Sequence, residues 1–110
     1  MIIPDEYDPG NVIIPIPLVY GLHQNFPNPF RLSTEIGFAL KEDSHVKLAI
    51  FNTKGQKVIT LLDDFAEADK VFELDWDGVD QYGKKLASGI YFYRLQTDET
   101  DIIRTMLLVK

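Results

Sequence analysis

The sequence predicts an all-β chain folded as an immunoglobulin-like antiparallel β-sandwich of about seven strands. Three observations carry that expectation. From Ser33 onward apolar residues alternate with polar ones at a period of two, the spacing at which side chains of a strand share one face. Turn-forming Gly, Asp and Asn residues separate these runs at short intervals, as in a Greek-key sandwich. No segment carries a helical period, and Pro4, Pro9, Pro15 and Pro17 bar a helix from the start of the chain.

Taken in order, residues 1–21 are expected to form a proline-rich linker or an edge strand, and residues 22–110 the folded domain. The stretch 12–20 is apolar but broken by proline, which suits an edge strand lying on the domain. Left free in water it would be sticky. In Phe26-Pro27-Asn28-Pro29-Phe30 the alternate prolines fix φ and favour extended or polyproline geometry. Both Phe rings are expected to clamp this segment onto the core. Ile36, Phe38 and Leu40 then share one face of a strand over 34–40, and Val46, Leu48 and Ile50 one face of a strand over 45–52. Residues 53–56 supply a hairpin turn in which Gly55 takes a positive φ. A return strand covers 57–62, and 63–69 is an acidic connection. Phe72, Leu74 and Trp76 alternate along the next strand, and 77–86 is a polar loop. The final strands, 89–97 and 102–109, flank a turn at 98–101. They are apolar on both faces, which predicts central positions in a sheet covered on both sides.

A chain of 110 residues holds one domain. Its 45% hydrophobic content, with seven Phe, five Tyr and one Trp, fills a small β core. The absence of cysteine excludes disulfides, thiolate metal sites and cysteine nucleophiles. A net charge of −6, with eleven Lys and Arg scattered along the sequence, argues against nucleic acid. The acidity reads as solubility. No apolar run approaches the ~20 residues that span a bilayer as a helix. Met1-Ile2-Ile3-Pro4-Asp5 lacks the basic start and apolar stretch of a signal peptide, so the sequence is expected to be a piece of a larger precursor.

Chemistry-bearing clusters are few. Asp75, Asp77 and Asp80 fall within six residues, and calcium favours such oxygen-rich groups. The spacing does not fit an EF-hand, however, and Asp with Gly78 and Gly83 is also what a tight turn needs. The turn is the preferred reading, with Trp76 in the core and Asp75 turned away. Gly89-Ile90-Tyr91-Phe92-Tyr93 reads as core strand rather than an aromatic platform. There Gly89 would permit a close approach or bulge, and Tyr91 a tyrosine-corner hydrogen bond. His23 and His45 have no carboxylate or nucleophile partner at a recognisable spacing, and Asp63, Asp64 and Glu67 read as a charged surface loop. With no G-x-S-x-G and no phosphate-cradling glycine motif, the expectation is a chain that is not an enzyme and takes no cofactor or metal. Met106-Leu107-Leu108-Val109-Lys110 brings an apolar strand to a terminal cation.

In this order and spacing, Asn25–Phe30, Ser33-Thr34, Gly55-Gln56, Trp76-Asp77-Gly78, Gly83, Ala87-Ser88-Gly89-Ile90-Tyr91 and Met106–Lys110 resemble the type A C-terminal sorting domain of type IX secretion cargo in Bacteroidetes. The resemblance covers roughly residues 22–110. One departure is Arg31-Leu32, where that family more often shows Asn-Pro. The resemblance implies a secretion signal whose candidate residues are Pro27, Asn28, Pro29, Phe30, Gly55, Trp76, Asp77, Gly78, Gly83, Gly89, Tyr91 and Lys110. It implies as partners the type IX translocon and sortase components, with cargo fused upstream. The location would be the periplasm in transit, then the cell surface or the medium, with residues 5–22 presenting the cleavage region. The Trp-Asp-Gly, Gly and Gly-x-Tyr pattern is shared with the Ig-like domain of flagellar hook-capping proteins, a structural assembly role. Pro27-Asn28-Pro29-Phe30 and Lys110 favour the sorting role. A carbohydrate-binding or spacer module of a secreted enzyme is the third alternative, and open strand edges allow a weak homodimer.

Overall fold

The computed structural model describes residues 18–110. The period-two runs become seven strands: β1 (Gly21–Leu22), β2 (Thr34–Ala39), β3 (Ser44–Phe51), β4 (Lys57–Ala66), β5 (Val71–Trp76), β6 (Gly89–Gln96) and β7 (Asp101–Leu108). They form two sheets, β1-β2-β5 and β4-β3-β6-β7, in which every neighbouring pair is antiparallel. The fold is the expected Ig-like sandwich. Inward residues of the two sheets meet between them: Ile36 and Phe38 from β2, Val46, Leu48 and Ile50 from β3, Tyr93 and Leu95 from β6, all 0% exposed. Burying each such side chain contributes about 1.5–3 kcal/mol.

Two expectations needed correction, and the edge strand expected over 12–20 falls largely outside the described residues. Leu18, Val19 and Tyr20 are exposed and outside any strand, and the first described strand is β1, which pairs Gly21 with Ala39 and Leu22 with Phe38. The return strand β4 does not stop at Leu62. It runs on through Asp63 and Asp64, which pair with Lys47 and Val46. An edge strand tolerates acids there because one face and one edge meet water. Finally, β6 is central but β7 is an edge strand, and Ile103 and Leu107 on its outer face are 59% and 38% exposed. Their apolarity reflects an uncovered sheet face rather than a second buried layer.

The connectivity sorts the loops between two ends. At one end β3 turns into β4, Thr34 pairs with Trp76, and Gly89 pairs with Leu108. That end therefore gathers the hairpin 52–56, the loop 77–88, the segment 26–32 and residues 109–110. At the other end lie Tyr20, the turn 40–43, the link 67–70 and the turn 97–100. Tyr20 donates to Asp69 at 2.5 Å there, which fixes the start of the described residues at the end opposite the first group of loops.

Candidate functional site

Every candidate residue lies at, or directly beneath, the first of these ends. The segment after β1 is held by a buried polar knot. Asn25, 2% exposed, donates from Nδ2 to the Thr34 hydroxyl (3.0 Å) and the Pro27 carbonyl (3.2 Å). Thr34 also donates to the Pro27 carbonyl at 2.8 Å. From the opposite sheet, the Tyr93 hydroxyl accepts the Asn25 N–H (2.9 Å) and donates to the His23 carbonyl (2.8 Å). Each buried polar group is thereby satisfied, which avoids a cost of about 1–3 kcal/mol per orphaned group. Burial, opposed by the contact with Asn25 and the charge of Arg104, raises the Tyr93 hydroxyl above its ordinary pKa. This bridging role of Tyr93 went unseen in the sequence, where the residue reads simply as core.

The next residues run along the free edge of β7. The Asn28 side-chain oxygen accepts the Leu107 N–H at 3.0 Å. Phe30 donates its N–H to Leu107 O (3.0 Å), and its carbonyl accepts from Val109 N (2.9 Å). A short loop thus satisfies backbone groups that an edge would otherwise leave open. The backbone bends at Pro27, Asn28 and Pro29, so the segment is not the extended polyproline run expected; the Phe26–Pro27 and Asn28–Pro29 peptides are both cis. The two rings also part company: Phe30 is 1% exposed, whereas Phe26 is 79% exposed. Only Phe30 clamps the core, because the chain turns between them and the two side chains leave on different faces.

Beneath this loop the motif aromatics meet. Trp76 lies 5.6 Å from Phe30 and edge-on to Tyr91 at 5.7 Å, ring centre to ring centre, geometries that aromatic quadrupoles favour. The indole N–H donates to the Val79 carbonyl at 2.9 Å and so closes the loop that follows. Gly78 has a φ of 74°, and a Cβ there would sit 3.4 Å from Leu108. Its backbone therefore lies directly over the β7 core residue, which explains the glycine twice. The Tyr91 hydroxyl donates to the Ala87 carbonyl at 2.6 Å, the expected corner bond, and burial raises its pKa.

The remaining candidates shape turns. Asp80 Oδ1 accepts the N–H groups of Tyr82 and Lys84, both at 2.9 Å, while Gly83 donates to Asp80 O at 3.0 Å. Asp80 thus caps the turn. Asp75 and Asp77 are exposed, and no group of three or more potential ligands is placed to hold a metal among the described residues. Gly55 occupies the hairpin tip with a φ of 80°, where Asn52 Oδ1 accepts the N–H groups of Lys54 and Gln56. Gly89 needs another account than a close approach, since a Cβ there would meet nothing within 4 Å. Its φ of 152° lies where L side chains rarely go. Lys110 is exposed, and its N–H donates to Ser88 Oγ at 3.1 Å.

His45 departs from expectation: its Nε2 contacts Asp63 Oδ1 on the neighbouring strand. The hydrogen bond from His45 holds the Asp63 carboxyl below its ordinary pKa. Both side chains are more than half exposed, and the pair lies on the outer face of the four-stranded sheet, away from the motif residues. A cleft of about 410 Å³ lies at the opposite end, between Tyr20, Leu40, Asp43, Thr97 and Ile102, and contains none of the candidate residues.

Among solved structures, the chain is similar to dimeric latent PorU from Porphyromonas gingivalis. The TM-score is 0.62 at 25% identity, over 78% of this chain and 9% of that one. It is similar in fold to PorZ, an essential bacterial surface component of the type-IX secretion system of the same organism, with a TM-score of 0.58 at 20% identity over 82% of this chain and 12% of that one. The chain thus spans about a tenth of the length of each. No curated protein matches it. The profile of the FlgD Ig-like domain matches residues 29–101, from within the Pro29-Phe30 clamp to the first residue of β7, and the chain accordingly belongs to the FlgD Ig-like domain family.

Proposed function

We propose that this chain is a non-enzymatic sorting domain that directs attached cargo through a type IX secretion system to the cell surface or the medium. The observation that carries the proposal is convergence. Residues 27–30, 76–78, 83, 89 and 91 resemble a sorting domain piecewise in sequence, and they assemble into one end of the sandwich. That end lies opposite Tyr20, near the start of the described residues. A signal fused behind cargo needs this polarity, because the face to be recognised must stay clear of the passenger. The likeness to PorU and PorZ supports the link to the type IX system. In this reading Phe30, Trp76, Gly78 and Tyr91 are scaffold, and the exposed residues around them are what the translocon reads.

The family match favours a second reading, a structural assembly module of the hook-capping kind. One experiment separates the two. The 110-residue chain is fused behind an exported fluorescent protein in a type IX-competent bacterium, and the cells are fractionated. Reporter at the surface or in the medium, dependent on the translocon, is the expected result. A folded fusion retained in the periplasm favours the assembly module.

A further inference from the structure

The eleven Lys and Arg that look scattered in sequence are sorted by the fold. Arg31, Lys54, Lys57, Lys84, Lys85 and Lys110, six of the eleven, come from four separate segments that the topology brings to the motif end. All six are exposed, and none takes part in an ion pair among the described residues. The acidic side chains at this end are Asp77 and Asp80, and the Asp80 carboxylate is occupied in capping its own turn. Glu35 and Asp75 stand one row further in, on the face of the three-stranded sheet. The opposite end is the reverse. It carries Glu42, Asp43, Glu67, Asp69, Asp98, Glu99 and Asp101, and two of its nearby cations are spent on Glu67 and Asp101. A chain of net charge −6 therefore presents a positive pole where its motifs converge. Two large apolar side chains stand among these cations, Leu32 at 86% and Tyr82 at 84% exposure, while the exposed pair Ile90 and Leu107 lies one row further in, on the outer face of the four-stranded sheet.

From this arrangement we infer that the motif end docks onto an acidic protein surface with apolar sockets for Leu32 and Tyr82. The inference rests on the sorting proposal and names the chemistry of the receptor. The cations would steer and orient the encounter, while the two apolar side chains fix the register. A lipid surface fits less well. Interfacial anchoring needs a continuous apolar face, whereas Leu32 and Tyr82 emerge singly from separate loops. Phe26, the nearest further exposed ring, opens onto a small recess lined by Glu35 and Glu73, carboxylates that an anionic bilayer repels.

The test uses the full 110-residue chain and two synthetic acidic peptides, one of Glu alone and one of Glu interspersed with Phe, titrated at low salt and followed by amide NMR. Expected are saturable shifts confined to residues 31–32, 54–57 and 82–85, tighter binding of the Phe-containing peptide, and weakening by about tenfold or more in the triple variant Lys54→Glu, Lys84→Glu, Lys85→Glu. The control Lys41→Glu, Lys70→Glu at the other pole leaves affinity unchanged. Absence of binding, or shifts spread over the sheets, overturns the inference. So does equal engagement of the same residues by phosphatidylglycerol vesicles. In the secretion assay the triple variant is expected to lose surface delivery while remaining folded. Normal delivery of that variant sinks this inference and leaves the sorting proposal standing. Failure of the unaltered chain to be delivered, with peptide binding intact, sinks the sorting proposal alone.

Discussion

The side-chain oxygen of Asn28 accepts the backbone N–H of Leu107 at 3.0 Å, joining a loop ahead of the first long strand to the last strand of the domain. The bond works together with the two backbone bonds between Phe30 and the same edge. One asparagine therefore helps to close the free side of β7. Replacing it with alanine should cost about 0.5–1.5 kcal/mol, the usual net worth of such a bond. Urea unfolding of Asn28→Ala against the parent chain measures this, and an unchanged midpoint would mean that water serves Leu107 equally well.

Trp76 is the pivot beneath that loop, 1% exposed and in contact with both Phe30 and Tyr91. Trp76→Ala is expected to lose about 3–5 kcal/mol, as deletion of a large buried aromatic does. For a domain of this size that is a large part of total stability. Equilibrium unfolding should show it directly, and a loss under about 1 kcal/mol would place Trp76 among surface substitutions.

Tyr93 ties the two sheets together through its hydroxyl. Tyr93→Phe leaves the Asn25 N–H and the His23 carbonyl without their partner, at a cost of about 1–3 kcal/mol. The pH dependence follows from the raised pKa. The folded state holds this proton more tightly than the unfolded chain, so its contribution is complete below the ordinary value near 10 and declines as pH rises through the folded value. Thermal melts of the parent chain should weaken above pH 10, and Tyr93→Phe should lose less over the same interval.

Across β2 and β5, Glu35 is raised above its ordinary 4.5, first by a hydrogen bond with Glu73, then by that group's charge, by burial and by Asp75. Proton binding is again stronger in the folded state. Stability from this group is therefore present below about pH 4.5 and lost as pH rises through the folded value. Glu35→Gln removes the repulsion and can still donate to Glu73. Its melting temperature should exceed that of the parent at pH 7, with the gain shrinking below pH 4.5. A gain of equal size at both pH values would contradict the electrostatic explanation.

How far the sequence reaches depends on how local the cause is. The alternation of Ile36 and Phe38, of Val46, Leu48 and Ile50, and of Trp76 and Tyr91 places them inward correctly, because a strand's own pleat decides it. The corner bond of Tyr91 and the turns at Gly55 and Gly83 are local as well. What escaped is set by distant chain. Phe26 and Phe30 part because the backbone turns between them, outside any periodic element. Ile103 and Leu107 look like core residues, yet β7 is an edge strand, and only pairing order determines that. The acids of β4 resemble a loop until Lys47 and Val46 are seen to pair with them. The positive pole has no trace in one dimension, since its cations are drawn from four segments.

The central structural claim is that motifs far apart in sequence form one cooperative unit at this end of the sandwich. Amide hydrogen exchange reads it most directly. The account expects the N–H groups of Phe30, Leu86, Leu107 and Val109 to be protected together, and their protection to fall together in Asn28→Ala. Loss confined to Leu107, with Phe30 and Val109 unchanged, would contradict it and leave the motifs as independent local features.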